Sequence, residues 1–374
     1  MEASILSEIS FPDFLDQVQD GLFIVDARGV IVLWNRAAEA LTGFPTAAAL
    51  GKSCLDRQLL DHRTVHGESL CTEEASPLMR CMRSGVGGSV PHLILAASAT
   101  GKTLPISLSV SPLHGRAGAV AGAVALFRGM REEYQQRKLA IEIQKRTITS
   151  HGFVRNGVSV QTLFAPADEI GGDFVESFFL DDHTLVATLA DATGHGISAS
   201  LFTMVYKTLL HASFGQARMP ATILQRVNAG FLESAGVEGY YIGACLASFD
   251  TETGRGLFSA AGHPHGLIFR RGGSGLRLRE ELEVHAPMLG MAEEARFRQV
   301  PFELPAGDLL LLTTDGIVEA PCAGGGQFGV EGIVAFLEGY AGDSPLDGLL
   351  QEVRRRSIGT SPADDISAVM VAPA

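Results

Sequence analysis

Aspartate recurs beside glycine, or beside a second aspartate, at four places along this chain: Gly171-Gly172-Asp173, Asp191-Ala192-Thr193-Gly194-His195-Gly196, Thr314-Asp315-Gly316 and Asp364-Asp365. At each place the surrounding residues read as buried strand or tight turn. Gathering several carboxylates in a protein interior is costly, because each loses its water and repels the others. A divalent cation removes both penalties. No Cys or His is common to the four stretches, and an all-oxygen ligand set suits a hard ion, Mg²⁺ or Mn²⁺. The chemistry this predicts is a two-metal carboxylate centre that activates water against a phosphate ester.

The elements that must aim these groups are legible around them. Asp173 follows two glycines, so the main chain can pass close to a metal. Asp191 follows an apolar strand, Leu185–Ala190, and precedes a Gly-rich turn that leaves neighbouring carbonyls free as ligands. A helix over Ala199–Phe214 comes next, with Leu201, Val205, Leu209 and Leu210 on one face, then a second over Ala221–Leu232. Tyr241–Phe249 and Arg255–Ala261 read as paired strands. Asp315 ends the run Asp308–Thr314, and Asp364-Asp365 opens a last strand, Ile366–Val371. Any one of these aspartates alone reads as an ordinary turn or cap residue; the ordered set carries the metal reading.

The first third is built differently. Leu22–Val25 and Val30–Trp34 are β-rich runs joined by Asp26-Ala27-Arg28-Gly29, a hairpin signal. Asn35 then caps a helix that stops at Gly43. Further strands are expected at His92–Ala97, Leu104–Ser111 and Ala119–Phe127. Residues 129–150 are rich in helix formers. Met130, Tyr134, Ile141 and Ile148 fall on one stripe, but Arg137 and Gln144 stand where a coiled-coil seam would need apolar groups. The segment is therefore either a connector packed on its own domains or a dimerising signal helix.

At 374 residues two domains are the natural expectation. Hydrophobic residues make up 46% and charged ones 19%, enough apolar material for packed cores. The formal charge of −13 at pH 7 argues against nucleic-acid binding, which needs a positive surface. Five scattered cysteines, Cys54, Cys71, Cys81, Cys245 and Cys322, make a disulfide framework unlikely. The acidic N-terminus lacks the basic start and apolar core of a signal peptide. No apolar run approaches a bilayer span. The chain is expected to be cytoplasmic. His263 and His265 read as turn residues near the site. Cys54, His62, His66, Cys71 and Cys81 fit no metal-ligand spacing.

Residues 8–128 resemble a PAS sensor domain, on Asp20–Asp26, Gly29, Trp34-Asn35, Ala37-Ala38-Glu39, Leu41-Thr42-Gly43 and Gly51-Lys52. That resemblance implies an antiparallel sheet with flanking helices, and a signal-receiving or dimerising module whose ligand it does not name. From about Ile141 onward the chain resembles the metal-dependent protein phosphatases (PPM, the type 2C serine/threonine enzymes), in their bacterial sporulation and stress-response branch. The residues that carry it include Glu142-Ile143-Gln144, Pro166-Ala167, Ile170–Phe174, Asp191–Gly196, Asn228, Ala261–Pro264, Pro287–Gly290, Thr314–Ala320, Phe328-Gly329 and Asp364–Ser367. The implied arrangement is an α+β chain: a PAS fold, a linker helix over 129–150, and an α/β/β/α phosphatase sandwich over 151–374. Carried over, Asp191 bridges two Mn²⁺ or Mg²⁺ ions and the Ala192 carbonyl ligates one. Asp315 and Asp364 hold the other, and Asp173 ligates directly or through water. Asp365 stands where relatives often carry Asn and ranks second as a ligand. His195 is a proton donor to the leaving serine oxygen or an organiser of its turn. Glu176, Ala190 and Thr193 replace the family's usual Asp, Gly and Ser. The resemblance further implies a phosphorylated STAS-type antagonist of an anti-sigma factor as substrate, and a homodimer through the PAS unit and linker helix.

Two other classes compete. A histidine-kinase-like ATPase is suggested by Asp191-x-x-Gly-x-Gly, but no helix with a phosphorylatable His precedes it. A non-catalytic scaffold would have no reason to keep clustered carboxylates.

Overall fold

The structure, a computed structural model, describes residues 10–90, 93–116, 118–147, 152–194, 196–215, 218–262, 266–272, 275–340, 342, 344–357 and 364–373. The chain divides into two compact units, Met1–Lys138 and Leu139–Ala374.

The first unit grows from the expected hairpin. Strands Gly21–Asp26 and Ile31–Trp34 pair antiparallel with Phe23 opposite Trp34. Gly29 takes φ 77° in the turn between them, a conformation that costs glycine nothing. The Asp26 carboxylate tightens that turn by accepting the N–H groups of Arg28 at 2.9 Å and Val30 at 3.0 Å. Asn35 does two jobs. Its side-chain oxygen accepts Ala38 N–H, capping helix Arg36–Thr42, and also Leu22 N–H, both at 2.8 Å. Among the described residues the sheet runs Ile31–Trp34, Gly21–Asp26, Val120–Gly129, Thr103–His114, Ile94–Ala97, Arg63–Thr64, every pairing antiparallel. Phe23, Trp34 and Phe127 meet in its core with ring centroids 5.5 to 6.2 Å apart.

Cys54 and Cys81 lie in that core as free thiols, with Cys54 Sγ 4.0 Å from Met79 Sδ. His62 is buried beside Cys71, whose Sγ lies 3.7 Å from the His62 carbonyl oxygen, and burial pushes the His62 imidazole down to about 4. The unfolded chain therefore takes up the proton first. Stability is complete above the ordinary histidine range and is lost as pH falls from about 6.5 towards 4, by about 3 kcal/mol. Urea unfolding of the full chain at pH 7 and pH 5, followed through Trp34, should show about 2 kcal/mol of this loss, and His62→Leu should flatten it.

The second unit is a four-layer sandwich. One antiparallel sheet runs Asp173–Phe179, Thr184–Ala192, Ile242–Asp250, Arg255–Ala261, Gln299–Glu303. The other runs Gly275–Leu282, Gly266–Gly272, Asp308–Thr313, Ile366–Pro373, Val158–Ala165, Phe153–Arg155. Helices Ile197–Phe214 and Pro220–Ala235 cover the first sheet, and Gly329–Gly339 and Pro345–Arg356 the second. Covered on both faces, Thr184–Ala192 and Asp308–Thr313 are buried almost throughout, which explains their unbroken apolar sequence. Val175 and Phe258 from the first sheet and Ile268, Leu312 and Val369 from the second interleave between the sheets, while Phe174 packs on Tyr206 of the covering helix.

The connecting helix spans Arg131–Thr147. Leu139 and Ile143 are exposed on it, whereas Gln144, expected to weaken a seam between chains, is buried in its own unit. No helix among the described residues is long and apolar enough to cross a membrane.

Candidate active site

Sheet register brings the acids together. Asp173 opens its strand directly opposite Asp191 on the next one. Like charges placed so are destabilising unless something neutralises them. Asp173 is 1% exposed and receives one hydroxyl, from Thr314 Oγ1 to Oδ2 at 2.9 Å. Burial, then the charge of Asp191, holds its carboxyl well above the usual range. Asp191 is pushed up to about 8 by burial first, then by the charges of Asp315, Asp364 and Asp365.

The other acids arrive from the second sheet. Strand Asp308–Thr313 pairs with Ile366–Pro373 at Thr313 opposite Ala368, which sets Asp315 beside Asp364-Asp365. Asp315 begins the short helix Asp315–Val318. Its carboxyl is raised by burial and then by Glu319. Its Oδ1 is buried with no hydrogen-bond partner among the described residues. Asp364 Oδ1 accepts Asp365 N–H at 2.8 Å.

Asp365 is placed differently. Its Oδ1 accepts Ala167 N–H at 2.7 Å, and its Oδ2 accepts Gly172 N–H at 2.5 Å and Asp173 N–H at 3.2 Å. A carboxylate with three backbone donors organises the loop that carries Asp173. Gly172 also bears on Ala192, the expected carbonyl ligand: Ala192 N–H donates to Gly172 carbonyl at 3.3 Å. A Cβ on Gly172 would stand 3.1 Å from the Ala192 oxygen. His195 lies outside the described residues, as do His263 and His265.

The acids crowd without closing on one another: among the described residues no three Asp, Glu, His or Cys groups already stand at metal-ligand spacing. Charge acts beyond that spacing in a low-dielectric interior, so the raised carboxyls and the open spacing agree. The donor set fits a hard divalent cation. It consists of oxygens, one buried carboxylate oxygen lacks a partner, and positive charge would relieve every repulsion present.

Four residues, Thr314, Gln144, Lys207 and His211, make supporting contacts to which sequence reasoning assigned no role. Thr314 bonds Asp173, and its place beside Asp315 was the available signal. Gln144 reaches Gly171. Lys207 Nζ stands 2.9 Å from Glu176 Oε1, while His211 Nε2 lies 2.7 Å from Oε2. Burial raises the Glu176 carboxyl, but hydrogen bonds from His211 and Lys207 outweigh it and the net shift is downward. Stability from this group is present above the ordinary glutamate range and fades as pH falls below it. Because His211 is well exposed, Glu176→Gln should cost only about 1–2 kcal/mol in urea unfolding at pH 7.

Fold and acid cluster together define a class, the four-layer sandwich with carboxylates at the sheet ends. The model of Stage II sporulation protein E (SpoIIE) matches residues 181–373, and this chain belongs to that family. A PAS fold model matches residues 15–135. The chain is 25% identical over 188 residues to phosphoserine phosphatase RsbP of Bacillus subtilis, covering 50% of this chain and 45% of RsbP. It is 21% identical over 194 residues to phosphoserine phosphatase RsbU of the same organism, covering 52% and 56%. The chain thus spans about half the length of these curated relatives. The SiaA-PP2C domain of Pseudomonas aeruginosa shares the fold, with TM-score 0.53 at 19% identity over 65% of this chain and 96% of that domain.

Proposed function

We propose that the chain is a signal-regulated, metal-dependent protein serine/threonine phosphatase that hydrolyses phosphoserine on a partner protein. The observation that carries this reading is the register pairing of Asp173 with Asp191, with Asp315 brought beside them from the second sheet. Asp191, the Ala192 carbonyl, Asp315 and Asp364 would hold two Mn²⁺ or Mg²⁺ ions between them. Asp173 completes the set, and Asp365 holds the Ala167–Asp173 loop in place. When bound, the ions supply positive charge for the phosphate oxygens and lower the pKa of a water molecule. Thr314 keeps the Asp173 carboxylate turned towards Asp191 by donating to its Oδ2. His195 protonates the leaving serine oxygen or orders the turn between Asp191 and helix Ile197–Phe214.

The named activity of RsbP and RsbU, phosphoserine phosphatase, supports this class of substrate. A phosphorylated STAS-type antagonist in a cytoplasmic sigma-factor pathway is the substrate proposed. The test is release of inorganic phosphate from such a phosphoprotein: release that depends on Mn²⁺ and stops on chelation is expected. Turnover indifferent to chelation would overturn the reading. The PAS unit and the helix Arg131–Thr147 are proposed to form a homodimer that sets activity. Deleting residues 1–128 should change basal phosphate release; an unchanged rate counts against the sensor role.

A further inference from the structure

Gln144 sits on the helix Arg131–Thr147 yet is only 4% exposed. Burying a carboxamide is costly unless both of its ends find partners. Here both ends bond the same residue, on the two peptide groups that flank its Cα. Its Nε2 donates to the Gly171 carbonyl at 2.6 Å, and Gly171 N–H donates to its Oε1 at 3.2 Å. Two bonds to one residue close a ring, which fixes the peptide planes of Gly171 against rotation as a single bond would not.

The far side of that loop is held by Asp365 through the N–H groups of Ala167, Gly172 and Asp173. Gly171 lies between the two anchors, so close to Asp365 that a Cβ there would stand 2.5 Å from Oδ2. Without the carboxamide, Gly171 loses the partners given to both its N–H and its carbonyl, and the loop keeps one anchor of two. Asp173 follows two residues later.

We infer that Gln144 is a positioning residue for the metal site: by clamping Gly171 it fixes where the carboxylate of Asp173 meets the cations. This rests on the metal-dependent reading above. Residues that orient metal ligands without touching the metal commonly cost about ten- to hundredfold in metal affinity when removed.

The test is calorimetric titration of the full chain with Mn²⁺, with no substrate present. Gln144→Met preserves length and apolar volume but removes both bonds, and should bind Mn²⁺ about ten- to hundredfold more weakly. Gln144→Glu keeps the acceptor for Gly171 N–H and loses the donor, so its affinity should fall between Gln144→Met and the parent. A folded Gln144→Met variant with parental Mn²⁺ affinity overturns the clamp, even if its unfolding midpoint drops, because the residue would then serve stability alone. If Gln144→Met does not fold, parental affinity in Gln144→Glu overturns it equally. A parent chain that takes up no Mn²⁺ removes the metal reading and the clamp together, and that outcome is recognisable without any variant.

Discussion

Asp315→Asn is expected to lower Mn²⁺-dependent phosphate release by about a thousandfold, roughly 4 kcal/mol of barrier, while making the metal-free chain more stable. Both effects come from one charge. Asn keeps the size and one oxygen of Asp315 but gives up the negative charge a hard cation selects. The wild-type Oδ1 has no hydrogen-bond partner among the described residues, so it contributes nothing to the metal-free fold that Asn would forfeit. Instead the carboxylate pushes against its surroundings. It is among the charges that raise Asp191, and its own carboxyl is raised by burial and then by Glu319. Neutralising it should add about 1 kcal/mol of stability without metal, an order-of-magnitude figure for one partly buried repulsion. Urea unfolding with and without Mn²⁺, beside phosphate release, reads both. A variant with wild-type turnover would remove Asp315 from the site.

Gly316→Ala is expected to be the most disruptive single methyl in the second unit. An added Cβ would overlap the Asp365 backbone carbonyl oxygen, and its next neighbours are the Asp365 carbonyl carbon and Asp364 Cβ. None of these is the free end of a flexible side chain. The short helix Asp315–Val318 or the Asp364-Asp365 segment must therefore move, and each carries a proposed metal ligand. Overpacking against backbone should cost about 3 kcal/mol, with activity falling at least as far as the displaced carboxylates dictate. A thermal melt and an Mn²⁺ titration of the variant would show the two losses together. An alanine variant that melts and binds Mn²⁺ like the parent would contradict the close approach.

Much of this site could be read from local sequence. The runs Leu185–Ala190 and Leu309–Thr314 announce strands buried on both faces, and each delivers its aspartate at a strand end. The PAS hairpin, the Asn35 cap and Gly29 were legible because turn chemistry is local. What could not be read was register. Nothing near Asp173 says that it faces Asp191, since that depends on how strands Asp173–Phe179 and Thr184–Ala192 slide against each other. Asp365 was weighed as a secondary metal ligand; its bonds to Ala167, Gly172 and Asp173 join residues nearly two hundred positions apart and leave no local mark. Gln144 looked like a flaw in a helical stripe for the same reason: its partner Gly171 belongs to a loop far along the chain.

Strand Ile366–Pro373 lies inside its sheet, with Asp308–Thr313 on one side and Val158–Ala165 on the other. During synthesis the earlier of these neighbours must wait, unpaired along that edge, until about two hundred later residues have emerged. Asp173 and Asp191 are made early, yet Asp365, which anchors the loop beside them, follows Asp173 by 192 positions. The nascent chain should therefore gain neither metal affinity nor protease resistance in this unit until residues 366–373 clear the ribosome. Translation arrested before that point would leave a sheet split in two, with an open edge inviting aggregation.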